Sequence, residues 1–330
     1  MAADYQAELA AALDAVRSAA RVCRAVQERL ITRDTLEKRD KSPVTVADFA
    51  SQAIVCRRLE QAFPADAVVG EEGSAELRTP DNSALLASVV GAVAGEAGGV
   101  VDSARVLAWI DRGSADAKAA RYWTLDPIDG TKGFLRREQY AVALALIEHG
   151  EVVAGVLGCP NLEDGAGGVG VLLAAVRGQG TRAFWLWRGG EADARGVHVS
   201  RIASPAGARF CESVEAEHSD QSESAKIAAE LGITAPPLRM DSQCKYGAVA
   251  RGDASIYLRL PTRADYQEKI WDHAAGMIVV EEAGGRVTDV DGKPLDFKRG
   301  RTLSQNSGVV ATAGTIHARV IEAIREVRGA

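Results

Sequence analysis

Apolar residues in the first thirty positions recur at steps of three and four, which is the spacing of one face of an α-helix. The stripe consists of Tyr5, Leu9, Leu13, Val16, Ala20, Cys23, Val26 and Leu30. A polar run at 38–43 predicts a mobile loop. Apolar positions then predict a second helix at 46–63. The chain is therefore expected to begin with two helices.

Short apolar runs bounded by turn residues follow, as is typical of β-strands. A helical, alanine-rich segment is predicted near 82–95, and strands are predicted at 68–70, 121–125, 140–148, 151–159, 170–176 and 182–187. His149-Gly150 between two strands predicts a hairpin. The simplest assembly is an antiparallel meander packed on the first two helices, which makes this half an α+β unit.

The pattern changes after Gly189-Gly190, where a polar segment predicts a turn into a second domain. The predicted domains are therefore 1–195 and 196–330. In the second, strands at 209–213, 254–260, 286–288 and 309–313 alternate with helices at 222–231, 241–251, 272–283 and 315–327. That alternation predicts a layered α/β half.

Composition narrows the class of protein. The 330 residues are 47% hydrophobic and 25% charged, as expected of a globular protein, and the net charge of −6 argues against a partner that is a nucleic acid polymer. Five scattered cysteines without a Cys-x-x-Cys pair fit a reducing compartment. With no recognisable leader or membrane span, the expectation is a cytoplasmic protein without a membrane partner.

The segment Asp126-Pro127-Ile128-Asp129-Gly130-Thr131 carries the most chemical information. Two carboxylates three residues apart, with a proline between them, can converge on one metal ion. Gly130 lets the backbone approach an anion closely. A helix beginning near Thr131 would offer free N–H groups to a phosphate. Metal-assisted hydrolysis of a phosphate ester needs this combination.

Three further acids stand in suggestive settings, at Asp48, Glu71 and Asp272. Oxygen ligands without a histidine or cysteine cluster point to Mg²⁺ or Mn²⁺. Each acid also has a plain structural interpretation. Asp48 and Asp272 could cap helices, and Glu71-Glu72 could be a solvated turn.

In this order, the motifs resemble those of the inositol monophosphatase-like, lithium-sensitive phosphatase superfamily. They are Asp48, Gly70-Glu71-Glu72, Asp126–Thr131 and Trp271-Asp272-x-x-Ala275-Gly276. Other motifs are similar to those of the 3′(2′),5′-bisphosphate nucleotidases within it. These are Lys41-Ser42-Pro43-Val44-Thr45, Lys132-Gly133-Phe134, Gly158-Cys159-Pro160-Asn161, Asp241-Ser242-Gln243-x-Lys245-Tyr246, Tyr257–Leu260 and Tyr266–Trp271. The resemblance implies an α/β layered fold, an αβαβα sandwich, with the active site at the domain junction.

The resemblance also implies a site with two or three Mg²⁺ ions. Glu71, Asp126 and the carbonyl of Ile128 would hold the first ion. Asp126, Asp129 and Asp272 would surround a second.

Catalytic roles are implied for Asp48, Glu71 and Thr131. Together they would orient and deprotonate a water molecule that attacks phosphorus in line, without a phosphoenzyme. Asp48 would lie just outside the two ions or hold a third ion weakly.

The implied substrate-binding residues are Gly130, Thr131, His218, Ser219, Ser242, Lys245, Arg259 and Asp272. A bisphosphate nucleotide carries a 5′-phosphate that the metal ions do not touch, so cationic side chains should meet it. Structural alternatives remain open, because Arg259 could be an edge-strand residue and Lys245 could lie on a solvated helix face.

The expected activity is removal of the 3′-phosphate of adenosine 3′,5′-bisphosphate (PAP), extending to the sulfated nucleotide (PAPS) and inositol 1,4-bisphosphate. No obligatory protein partner is evident. A phosphatase for inositol phosphates would keep the metal acids but have no use for the nucleotide contacts. A non-catalytic nucleotide sensor would have lost a metal acid or Thr131, and a purely structural protein would match these motifs only by chance.

Overall fold

Two β-sheets and three layers of helices make up the protein, seen in a computed structural model that describes residues 4–29, 42–188, 194–214, 221–263 and 265–329. The helices are α1 (Gln6–Arg29), α2 (Ser42–Ala62), α3 (Ser83–Ala97), α4 (Ser103–Asp111), α5 (Thr131–Arg136), α6 (Gln221–Glu230), α7 (Cys244–Ala250), α8 (Ala274–Glu282) and α9 (His317–Arg328). The strands are β1 (Ala67–Gly70), β2 (Arg121–Asp129), β3 (Ala141–Glu148), β4 (Glu151–Glu163), β5 (Val169–Val176), β6 (Thr181–Trp185), β7 (Arg195–Val197), β8 (Phe210–Glu212), β9 (Leu238–Arg239), β10 (Ile256–Arg259), β11 (Gly285–Thr288) and β12 (Val309–Ala313).

The first sheet runs β1-β2-β3-β4-β5-β6-β7, so neighbours in sequence are neighbours in space. From β2 onward every pairing is antiparallel, which confirms the predicted meander, while β1 pairs with β2 in parallel. The predicted hairpin joins β3 and β4. Its turn residues His149 and Gly150 have φ of +50° and +79°, the left-handed conformation that two-residue hairpin turns require.

β3 is buried on both faces, which explains its unbroken apolar run. Leu144 and Leu146 point toward the layer of α1 and α2, whereas Ala143 and Ala145 point toward α8. Small residues on that second face let α8 approach closely. A Cβ placed on Gly155 of β4 would lie 2.5 Å from Cγ2 of Ile278 on α8.

The second sheet has the order β11-β12-β10-β8-β9, with parallel and antiparallel pairs. Along β10, Tyr257 belongs to the core shared with α7 and α8, while Ile256 and Leu258 face the core formed with α6 and α9. Helices α7 and α8 thus lie between the two sheets. The layers are α1/α2, first sheet, α7/α8, second sheet and α6/α9, so the predicted αβαβα sandwich is confirmed.

Several predicted boundaries are wrong. Helix α2 begins at Ser42 and not at 46, because a proline in the first turn of a helix loses no hydrogen bond; the rest of the predicted loop lies outside the described residues. The predicted helix at 241–251 begins only at Cys244. The helix predicted at 272–283 is preceded by a 3₁₀ turn, Ile270–Asp272. Helices α4 and α5 and the short β7 and β9 had no clear periodic signal.

Strand β7 lies across the proposed boundary between residues 195 and 196 and completes the first sheet by pairing with β6. The division into two domains therefore stays a prediction. Among the helices of the described ranges, none is both long enough and apolar enough to cross a lipid bilayer.

Candidate active site

A cleft of about 290 Å³ opens where the end of β2 meets the start of α7 and the end of β10. Ten of the predicted site residues line it: Glu71, Asp126, Ile128, Asp129, Gly130, Thr131, Ser242, Lys245, Arg259 and Asp272. Asp48 lies outside this lining, in α2. His218 and Ser219 fall outside the described residues. The structure thus brings together acids and cations that are far apart in sequence.

A bulge at the end of β2 presents the two aspartates. Asp126 pairs with Ala143 and Asp129 pairs with Ala141, so between these pairs two residues on β2 oppose one on β3. Such a bulge re-aims side chains and leaves backbone groups unpaired. The hydroxyl of Ser51 donates to the carbonyl of Pro127 at 2.9 Å. The strand therefore continues past the predicted end at 125 and carries both acids into the cleft.

Gly130 is needed where the two halves of the protein approach each other. Its φ is +89°, and a Cβ there would lie 2.8 Å from Cβ of Ser242. Ser242 itself has φ of +66°, which is uncommon for a residue other than glycine. Helix α5 begins at Thr131, directly after Gly130. The backbone conformation and the close approach of Ser242 thus require glycine at position 130, in addition to the predicted approach of an anion.

Negative charge is concentrated at the base of the cleft. Enclosure by protein, then the charges of Glu72 and Asp129, raises the pKa of Glu71 to about 7, although its surface stays open to solvent through the cleft. Burial, then the charges of Glu71 and Asp129, raises the pKa of Asp126 well above its usual range. Oδ1 of Asp126 is buried without a hydrogen-bond partner. A buried carboxylate oxygen without a donor fits a bound cation.

Asp272 completes the acidic group from the opposite half. Burial raises the pKa of Asp272 to about 7 against the effect of Arg259, and the charge of Asp129 raises it further. The alternative that Asp272 caps a helix is wrong, because it ends the 3₁₀ turn and His273 separates it from α8. Asp129 accepts a hydrogen bond from the backbone N–H of Gln243 at 2.5 Å.

Asp48 lies behind the acids and is only 8% exposed. It follows Ser42, the start of α2, by six positions, so the alternative that it caps the helix is wrong. Burial, then the charges of Glu72 and Glu71, raises the pKa of Asp48 well above its usual range. Burial and the neighbouring acids thus both disfavour the charged form of Asp48 in the metal-free protein.

Lys245 and Arg259 supply the positive charge. Lys245 is 4% exposed, and its Nζ lies 5.2 Å from the centroid of the Tyr257 ring. Burial lowers the pKa of Lys245, and the charge of Asp129 partly restores it. Lys245 is therefore not on a solvated helix face. Arg259 is not on an edge strand, because β10 lies between β12 and β8.

Two further residues, Gln243 and Arg301, hold segments of the site together. Neither of them was predicted from the sequence as a site residue. Gln243 donates through Nε2 to the carbonyl of Trp271 at 2.9 Å and accepts at Oε1 from the N–H of Gly276 at 3.0 Å. Arg301 donates to the carbonyl of Gly70 at 2.5 Å, and its Cζ lies 4.7 Å from the centroid of the Trp271 ring. Gln243 stood inside a recognised motif, whereas no periodic or motif signal marks Arg301.

Another set of possible ligand atoms lies beside the cleft. Glu268, Asp272 and His273 offer three such atoms within 4.8 Å of one another. Oε2 of Glu268, however, already lies 2.8 Å from Nε of Arg259 and 3.0 Å from Nε2 of His273. Protein donors therefore satisfy Glu268, and this set is not offered as a metal site.

The cleft can thus hold divalent cations on its carboxylates and an anion on Lys245 and Arg259. That combination suits a substrate with more than one anionic group. One group would meet the divalent metal ions held by the carboxylates, and another would meet the basic side chains.

Comparison with the sequences of known proteins identifies the family of this chain. The model of the inositol monophosphatase family matches residues 4–328. A 3′(2′),5′-bisphosphate nucleotidase from Schizosaccharomyces pombe is 44% identical, with 98% of this chain and 96% of the relative covered. Another from Emericella nidulans is also 44% identical, over 89% of this chain and 90% of the relative.

Solved structures confirm the fold. An inositol monophosphatase from Anabaena has a TM-score of 0.65 at 20% identity, covering 98% of this chain and 97% of that one. CysQ from Bacteroides thetaiotaomicron has a TM-score of 0.64 at 20% identity, over 94% of this chain and 98% of that one. The family predicted from the motif order is therefore confirmed. The chain belongs to the inositol monophosphatase family, whose members are metal-dependent enzymes that act on small phosphorylated substrates.

Proposed function

We propose that the protein is a Mg²⁺-dependent 3′(2′),5′-bisphosphate nucleotidase that converts adenosine 3′,5′-bisphosphate into AMP and phosphate. The observation that carries the proposal is one cleft that joins the four predicted metal acids, Glu71, Asp126, Asp129 and Asp272, with the buried Lys245 and the partly buried Arg259. A phosphatase for a simple monophosphate needs the acids but not a second cationic contact. The names of the relatives at 44% identity support the same activity. The sulfated nucleotide and inositol 1,4-bisphosphate are further substrates under this proposal.

The acids are proposed to hold two Mg²⁺ ions. Glu71, Asp126 and the Ile128 carbonyl would bind one, and Asp126, Asp129 and Asp272 would bind the other. A weak third ion would lie near Asp48. Bound Mg²⁺ polarises the phosphate and lowers the pKa of a water molecule, which carboxylates alone cannot do.

Three side chains would orient the attacking water and accept its proton. Glu71 accepts a proton from the attacking water, while Thr131 and Asp48 form the relay that orients that water. The raised pKa of Asp48 suits a group that carries a proton in such a relay. None of the five cysteines is in the lining of the cleft, and the proposal has water attack phosphorus directly without a phosphoenzyme.

Substrate contacts divide between the two phosphates. Gly130, Thr131 and Asp272 would contact the 3′-phosphate and its ribose oxygen. Ser242, Lys245 and Arg259 would contact the 5′-phosphate, with Arg259 offering paired donors and Lys245 a point charge. His218 and Ser219 are also proposed for the nucleotide.

The direct test is phosphate release by purified protein with Mg²⁺. The substrates are adenosine 3′,5′-bisphosphate, adenosine 3′-monophosphate, AMP, inositol 1-phosphate and inositol 1,4-bisphosphate, each with and without Li⁺. Strong preference for adenosine 3′,5′-bisphosphate over adenosine 3′-monophosphate is expected, because only the former has a 5′-phosphate for the cations. Preference for an inositol phosphate would be consistent with the proposed metal site but would contradict the proposed nucleotide contacts. No release from any substrate would favour the nucleotide sensor.

Removal of metal is expected to make stability depend on pH. The pKa of Glu71 and that of Asp272 are about 7 in the folded protein, and about 4 in an unfolded chain. The folded state therefore keeps protons that the unfolded state has released, so the free energy of unfolding falls as pH rises from about 4 to about 7. Mg²⁺ binds the ionised acids, and its stabilising effect should grow over the same range.

Chemical denaturation at pH 6 and pH 8, in EDTA and in Mg²⁺, checks this expectation. The stability in EDTA should be lower at pH 8, and the gain from Mg²⁺ should be larger there. A stability in EDTA that rises from pH 6 to pH 8 would contradict the electrostatic description of the site.

A further inference from the structure

A chain of buried polar side chains leads from the core to Arg259. The hydroxyl of Tyr246 lies 2.7 Å from Nδ1 of His273, and Nε2 of His273 lies 3.0 Å from Oε2 of Glu268. The same Oε2 atom lies 2.8 Å from Nε of Arg259. Tyr246, His273 and Glu268 are all at least 95% buried. None of the three was singled out for the proposed reaction.

Hydrogen-bond chemistry fixes the direction of this chain. A carboxylate only accepts, so Nε2–H of His273 donates to Glu268, and a ring that carries its proton on Nε2 alone accepts at Nδ1 from the hydroxyl of Tyr246. Although burial acts to raise it, the pKa of Glu268 is lowered by the hydrogen bond from His273 and the charge of Arg259. Oε2 of Glu268 therefore accepts from both His273 and Arg259.

The position of Glu268 decides which edge of Arg259 meets the cleft. Nε of Arg259 is directed away, toward Glu268, while Nη2 lies 3.3 Å from the hydroxyl of Tyr266 and 3.6 Å from Oδ2 of Asp272. Tyr266 and Asp272 both line the cleft. Nη2 thus faces the space that a substrate would enter. A guanidinium held in this way loses less side-chain freedom when it binds an anion.

We propose that Glu268, held in turn by His273 and Tyr246, is a positioning residue that orients Arg259 and so sets the preference for a substrate with a second phosphate. The inference rests on the proposed function, since it assigns that phosphate to Arg259. A buried ion pair that serves only stability would act on all substrates alike.

A double-mutant cycle separates the two roles. The variants are Glu268→Gln, Arg259→Ala and their combination, and the substrates are adenosine 3′,5′-bisphosphate and adenosine 3′-monophosphate. Glu268→Gln should raise KM for the bisphosphate about 10-fold, the size expected for loss of a charged hydrogen bond. kcat should change little, and KM for the monophosphate should change much less. In the Arg259→Ala background the effect of Glu268→Gln should vanish, because the residue it orients is gone.

Tyr246→Phe keeps the buried ring and removes only the hydroxyl that His273 accepts, so it provides a second, milder test. It should raise KM for the bisphosphate about 3-fold, as expected for loss of a neutral hydrogen bond. Gln267→Ala is the matched control, because Gln267 is exposed and bonds to Thr302 outside the cleft. That control should leave both substrates unchanged.

The outcomes distinguish the inference from the proposed function. Equal losses on the two substrates, or additive effects of Glu268→Gln and Arg259→Ala, would overturn the positioning role while leaving the nucleotidase proposal intact. A wild-type protein with no preference for the bisphosphate would overturn both.

Discussion

Replacement of Asp129 by asparagine is expected to lower turnover of adenosine 3′,5′-bisphosphate by at least ~100-fold, because even residues that only support metal ligands cost 10- to 100-fold when changed. The metal-free variant should nevertheless be at least as stable as the wild-type protein. The charge of Asp129 raises the pKa of Glu71, Asp126 and Asp272. Its removal relieves that repulsion, and asparagine can still accept the hydrogen bond from Gln243.

Two measurements test this expectation together. Turnover gives the loss of activity, and thermal unfolding in EDTA and in Mg²⁺ gives stability and the effect of the metal. The Mg²⁺-dependent rise in unfolding temperature should shrink in Asp129→Asn. Asp116→Asn is the control, because Asp116 is exposed and pairs with Lys118, which is also exposed. Turnover and metal response equal to wild type in Asp129→Asn would remove Asp129 from the proposed metal site.

Replacement of Arg259 by alanine is expected to lower kcat/KM for adenosine 3′,5′-bisphosphate about 100-fold, the scale for loss of one partner of a buried charged pair. The loss on adenosine 3′-monophosphate should be much smaller, because that substrate has no 5′-phosphate. The variant should also be less stable, by about 3 kcal/mol, since Glu268 would remain buried without its cation.

Arg259→Lys and Arg263→Ala sharpen this result. Lysine keeps the charge but cannot donate through Nε to Glu268 and present two further nitrogens, so it should recover only part of the activity. Arg263 pairs with Asp265 and both are exposed, so Arg263→Ala should behave as wild type. Losses of equal size on the two adenosine substrates in Arg259→Ala would remove Arg259 from the proposed 5′-phosphate contact.

Much of the fold follows from local signals that do not depend on distant residues. The His149-Gly150 turn and its apolar flanks predicted the β3–β4 hairpin, because positive φ in both turn residues fixes the register. The long stripe of α1 predicted its buried face. The bulge at Asp126–Asp129 is different, since it depends on pairing with β3, and the strand was therefore predicted to end too early.

The acids were predictable because they lie in compact motifs, whereas the residues that connect them were not. Arg301 reaches Gly70 across 231 positions of the chain. The role of Glu268 depends on its contacts with Arg259 and His273, which lie on other elements. Periodicity describes one element at a time and carries no information about such contacts.

The structural alternatives for Lys245 and Arg259 were wrong for a related reason. A lysine in a short helix suggests a solvated face, yet Lys245 is buried because both sheets cover α7. An arginine in an apolar strand suggests an edge, yet Arg259 lies on a central strand whose end opens into the cleft. The residue type alone could not distinguish these cases, since both depend on layers built from distant parts of the sequence.

The strand order has a consequence for the order of events during synthesis of the chain. The first sheet has all its strands once residue 197 has been made. The second sheet must wait for β12, which lies between β11 and β10 and is the last of the strands within the described residues. A nascent chain can therefore complete the scaffold for Asp126 and Asp129 long before Asp272 has a place to dock. The proposed ion site that needs Asp272 would therefore be completed only after the first sheet has formed.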